Sequence, residues 1–200
     1  SYAAITWLLL KSVACVFLLA LLTLWKQAKG LVGADGILPL TQTINPPSLP
    51  AVSVFAPTTI RPFLEAVWRS YYSKPTLFLF NQSDRMIDSL FGFATFLSVA
   101  TIIGVFPLPV LFLLLVVCYL SLLYAFGPFL SLQWDILLIE TGIVCAVLSN
   151  SAFGFQFTHF LPDAANQPSA FALLLVRWLV FRLMWGSGIR KLTVAPKGNQ

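Results

Sequence analysis

The chain has 200 residues and a formal net charge of +5, yet only 10% of it is charged while 58% is hydrophobic, giving a mean hydropathy of +0.88. Soluble globular domains run near about a quarter charged, so the composition excludes a water-soluble fold and identifies an integral membrane protein. It excludes a nucleic-acid-binding role as well, because the basic residues flank apolar runs and form no separate surface.

The apolar runs are long enough to span, since about 20 helical residues at 1.5 Å each cover a hydrocarbon core of about 30 Å. The first covers residues 4–25, from Ala4 to Trp25, and is interrupted only by Lys11. A polar segment, 26–85, follows. Its first half is turn-rich, with GLVGADGILP and then NPPSLP, where Pro46, Pro47 and Pro50 rule out a long helix. In its second half Ile60, Phe63, Leu64, Val67, Trp68 and Tyr71 share one helical face, and Arg61, Glu65 and Arg69 form an i, i+4 ladder on the other. Thr59 can cap this helix and Pro62 is tolerated in its first turn. The spacing predicts an amphipathic helix that either lies in the membrane interface or packs on the spans.

Four more spans are predicted at 86–106, 108–126, 134–154 and 169–192, with a chain reversal at Pro107-Leu108-Pro109. Each is read as helix, because an open strand edge cannot be satisfied in lipid, and the alternating segments of about ten residues that a barrel requires are missing. The expected fold is therefore all-α: a polytopic transmembrane helix bundle of about five spans, forming one transmembrane domain over residues 1–200, with an interfacial helix in the first loop. The sequence begins at Ser1 rather than methionine, as a processed or trimmed product would, and no removable signal segment is identified.

The fourth span carries two acids where an ionised group is costly. In QWDILLIETG, Asp135 and Glu140 must be paired, lifted to the interface or protonated. The fifth span offers Arg177 and Arg182 with the same five-residue separation, about 7.5 Å along a helix. Antiparallel spans would match Asp135 with Arg182 and Glu140 with Arg177. A slipped register pairs Glu140 with Arg182 and leaves Asp135 near the headgroups. Both registers make a neutral structural cluster inside the bundle. A catalytic or proton-relay role is disfavoured, because each acid has a permanent cation available and the sole histidine, His159, lies in the loop after the fourth span. No catalytic, cofactor or metal site is expected. Cys15, Cys118 and Cys145 lie in apolar spans without ligand spacing and read as small hydrophobes, and the glycines of GLVGADG follow a membrane span and lack a phosphate-loop Lys-Ser/Thr. Gly142 and Ala146, four apart, allow close helix approach, either within the bundle or to another protein.

QWDILLIETG, followed after a polar loop by RWLVFRLMWGSGIRKL, resembles the signature of the lipase maturation factor family. GADGILP after the first span, NQSD before the second and YLSLLYAFGPFLSLQWD before the fourth agree with it in order. The matching positions are Trp134, Asp135, Glu140, Gly142, Arg177, Trp178, Phe181, Arg182, Gly186, Gly188 and Lys191. The resemblance implies a non-catalytic multi-span protein of the endoplasmic reticulum that assists the folding and assembly of secreted lipases, with membrane lipids and a lipase client as partners. It covers the membrane-spanning part of the family; the hydrophilic region beyond, which the family uses on its client, is not among these residues. A second expectation is therefore an accessory subunit of a larger membrane complex.

Charge placement bears on orientation. With five spans, Lys26, Lys29, Arg61, Arg69, Lys74, Arg85, Arg190, Lys191 and Lys197 fall on one side and the opposite side has no Lys or Arg, which assigns the basic side to the cytoplasm or to the interior of an organelle bounded by its inner membrane. Asn81-Gln82-Ser83 is a glycosylation sequon usable only on a lumenal loop, so Asn81 argues the other way.

Overall fold

A computed structural model describes residues 2–44, 76–79, 81–130, 132–153 and 167–193. Among these residues there is no strand, and five helices are long and apolar enough to cross a membrane: α1 (Tyr2–Val32), α2 (Asp84–Ile103), α3 (Leu108–Phe126), α4 (Gln133–Phe153) and α5 (Ala170–Thr193). The amphipathic helix expected around residues 60–71 lies outside the described residues, as does His159. Four span boundaries fall within a few residues of expectation. The first does not: α1 continues past Trp25 through Val32. The extra turns are amphipathic, burying Ala28 and Val32 while Lys29 turns outward to Asp88 at 2.8 Å, so the helix outlasts its purely apolar stretch.

The ends follow local chemistry. Ser83 Oγ accepts from the Met86 amide at the start of α2, and the Asn81 side-chain oxygen accepts from the Ser83 amide at 2.9 Å. Gly104 ends α2 with φ 86°, the left-handed conformation that lets its N–H reach Ala100 O at 2.7 Å. Pro107 and Pro109 then open α3, where a missing N–H costs nothing.

Up-and-down connectivity makes α1 antiparallel to α2, and α4 antiparallel to α3 and α5. One core runs through α1, α2 and α3, with Phe17, Phe91, Leu115, Leu122 and Phe126 fully or almost fully buried. Aromatic rings stitch it together: Phe17 meets Tyr119 edge-on at 5.7 Å, Phe91 meets Phe126 edge-on at 6.1 Å, and Trp25 stacks on Phe91 at 6.0 Å. A second cluster joins Leu10, Phe112, Cys145, Leu148 and Ala172 toward the opposite end. α5 is the outlier. It packs chiefly on α4, and only 6% of its span is buried, against 33–56% for the other four.

Candidate functional site, an array of polar pairs between membrane spans

Polar side chains of the spans are joined to neighbouring elements along the whole length of the bundle. Near the α1 N-terminal half, Lys11 is 8% exposed and donates to Thr101 O at 2.8 Å, supplying a donor to one of the last carbonyls of α2. One turn on, Ser98 donates to Ala14 O at 2.7 Å. At the other end of the same helix pair, Asp88 accepts from Trp25 Nε1 at 3.0 Å and from Lys29. Asp84, first residue of α2, accepts from the Ala34 amide at 3.0 Å. The GADGILP turn and the NQSD segment, separated by the whole first loop, therefore meet through one carboxylate.

The fourth-span acids part company. Tyr119 of α3 donates to Asp135 Oδ1 at 2.7 Å, while Glu140 forms an ion pair with Arg182 of α5. This is the slipped register, and it corrects the pairing of Asp135 with Arg182 and of Glu140 with Arg177. The reason is geometric. Five residues turn a helix by about 140°, so a second, parallel pair would have to leave from a different face of each helix. Ser169 N to Ser151 Oγ at 3.4 Å and Arg190 to Gln133 at 3.4 Å fix the α4–α5 register from both ends. Arg177 is exposed and meets no acid among the described residues.

Gly142 sits where neighbouring helices approach closely. A Cβ there would stand 2.6 Å from Val116 Cγ2 and 3.0 Å from Phe17 Cζ, so glycine lets α1 and α3 both close on α4. Ala146, one turn on, is buried in the second cluster; these small residues serve contacts inside the bundle. Gly186 and Gly188 differ, with nothing within 4 Å of a built Cβ. Trp134 is exposed, Lys191 is exposed in the last turn of α5, and Trp178, Phe181 and Trp185 form an exposed ladder with ring centroids 5.6 and 5.8 Å apart. Cys118 and Cys145 are buried and Cys15 is exposed. Among the described residues no three His, Cys, Asp or Glu side chains gather to hold a metal. An open groove of about 370 Å³ between α1 and α4 is lined by Val13, Val16, Ala20, Leu138 and Thr141, with Tyr119 and Asp135 at its polar end.

Sequence reasoning missed Tyr119, Asp88 and Asp84 as partners. The available signal was Asp84 and Asp88, four apart at the mouth of a span, opposite the Lys26–Lys29 turn.

A family model of the lipase maturation factor transmembrane domain matches residues 4–197. The chain belongs to the lipase maturation factor family. It is 32% identical over 196 residues to lipase maturation factor 2 of Homo sapiens, covering 93% of this chain and 25% of that protein. The corresponding values are 33% over 196 residues for the Mus musculus protein, at 93% and 25%, and 31% over 198 residues for the Gallus gallus protein, at 93% and 24%. The chain thus spans about a quarter of the length of these relatives. No solved structure matches it. Within this chain, Ala34 of GADGILP meets Asp84 of NQSD, and Glu140 of QWDILLIETG meets Arg182 of RWLVFRLMWGSGIRKL.

Proposed function

We propose that these five spans form the membrane platform of a lipase maturation factor, a non-catalytic protein of the endoplasmic reticulum membrane that assists the folding and assembly of secreted lipases. The family match over residues 4–197 carries this reading. The architecture supports it: Asp135, Glu140, Lys11 and Asp88 are each engaged by a neighbouring helix, which holds the helices in register and leaves none of these groups poised for chemistry. Charge supports a cytosolic position for the end bearing Lys26, Lys29, Arg85, Arg190 and Lys191. Disrupting the gene that encodes this chain tests the reading. The expected result is that a secreted homodimeric lipase loses specific activity, measured as activity per mass of lipase, and regains it on re-expression. Unchanged specific activity would refute it.

The uncovered face of α5 favours one second reading, an accessory subunit of a larger membrane complex. Under that reading the chain co-fractionates in fixed ratio with the complex, and its loss leaves lipase specific activity unchanged.

A further inference from the structure

α5 presents an uncovered arc built unlike a lipid-facing surface. Ala172 and Val176 turn toward α4, and Arg177 follows Val176 by about 100° round the helix, on the side away from α4. From Arg177 the arc runs across the ladder of Trp178, Phe181 and Trp185 to Arg182 on its far edge. Arg182 is 54% exposed and its partner Glu140 26%.

Depth makes this arrangement costly in bare lipid. α5 covers about 36 Å, more than the hydrocarbon core of about 30 Å, so Arg182 stands near its middle. Arg177 lies about 7.5 Å from that level. A cation near the centre of a helix in lipid is costly unless an acid or water meets it. Glu140 offsets that cost for Arg182, and among the described residues nothing does so for Arg177.

We infer that the Arg177 side of α5 docks a further transmembrane helix carrying a carboxylate at the depth of Arg177, laid along the Trp178–Phe181–Trp185 ladder. The aromatic rings supply packing area, and the carboxylate neutralises the one arginine of the arc that has no acid beside it. Among the described residues no acid of this chain can take that place: Glu140 is held by Arg182 and Asp135 by Tyr119. A second copy meeting this face through a two-fold axis does not supply that acid. Two copies related by an axis along the membrane normal would set α5 beside α5 in parallel, with Arg177 opposite Arg177 at one depth.

The test uses the 200-residue chain, donor-labelled and reconstituted in phosphatidylcholine vesicles, with acceptor-labelled synthetic leucine-rich transmembrane peptides. One peptide carries a single Glu a third of the way along and the other carries Leu there. Energy transfer should show the Glu peptide associating at least ~5-fold more strongly than the Leu peptide, the range of measured interhelical polar contacts. Arg177→Leu should abolish the difference and Arg177→Lys should keep part of it. Helix content and tryptophan emission report whether each variant is folded, and a misfolded Arg177→Leu leaves the decision to Arg177→Lys and Arg177→Gln, of which only the first retains the preference. Equal association of the two peptides would assign Arg177 to lipid headgroups and overturn the inference. So would a preference that survives Arg177→Leu, or energy transfer between differently labelled copies of the chain that is lost on Arg177→Leu.

Discussion

Glu140 and Arg182 meet near the middle of the bilayer, and their partnership makes a quantitative prediction. Glu140→Gln leaves the guanidinium with a neutral acceptor, and Arg182→Leu leaves a carboxylate in an apolar setting. Breaking a fully buried pair costs about 3–5 kcal/mol. Here Arg182 is 54% exposed and Glu140 26%, so water or headgroups reach part of the pair in detergent and each single change is expected to cost about 1–3 kcal/mol. The double variant should recover at least half of the summed loss, since neither charge is then stranded, giving a coupling energy of about 1–2 kcal/mol. The assay is unfolding in bicelles followed by helical ellipticity, with wild type, both singles and the double measured together. A parallel cycle on Glu140→Gln and Arg177→Leu is the control: Arg177 faces away from α4, so these changes should add to within about 0.5 kcal/mol. Additivity in the first cycle, or coupling in the second, would refute the register described here.

Four further outcomes follow from the packing. Gly142→Ala forces a methyl against Val116 and Phe17 and should destabilise the bundle by about 1–3 kcal/mol, with Val116→Ala in the same chain restoring part of the loss; thermal unfolding in detergent reads both. Gly186→Ala and Gly188→Ala meet open space and should leave unfolding of the isolated chain unchanged or raise its midpoint, because alanine is the better helix former by about 1 kcal/mol. Tyr119→Phe removes the donor to Asp135 and should cost about 1–2 kcal/mol in the same assay, while Asp135→Asn, which keeps an acceptor, should cost less. With the basic end in the cytosol, Asn81 should stay unmodified in cells, and a mobility shift on glycosidase treatment that disappears in Asn81→Gln would reverse the orientation.

Hydropathy located the five spans, because a chain without a closed barrel satisfies its backbone in hydrocarbon only as helix, and Gly104 and Pro107 are local stops at two of the ends. It also exposed Asp135, Glu140, Arg177 and Arg182 as anomalies, since a charge inside an apolar run is visible without coordinates. Partner choice was a different matter. A spacing of five residues in both helices allowed two registers, and the tie was broken by the lateral packing of α4 on α3, which brings Tyr119 to Asp135 and leaves Glu140 for Arg182. The overrun of α1 was hidden because its last turns are held by Asp88, a residue more than fifty positions away. Gly142 read equally well as an internal or an external contact until Val116 and Phe17 were found against it. Sequence sets which segments enter the bilayer, because that is a sum over local transfer energies. Which side chains meet there depends on rotation and register between helices, and those are fixed only when all the helices pack together.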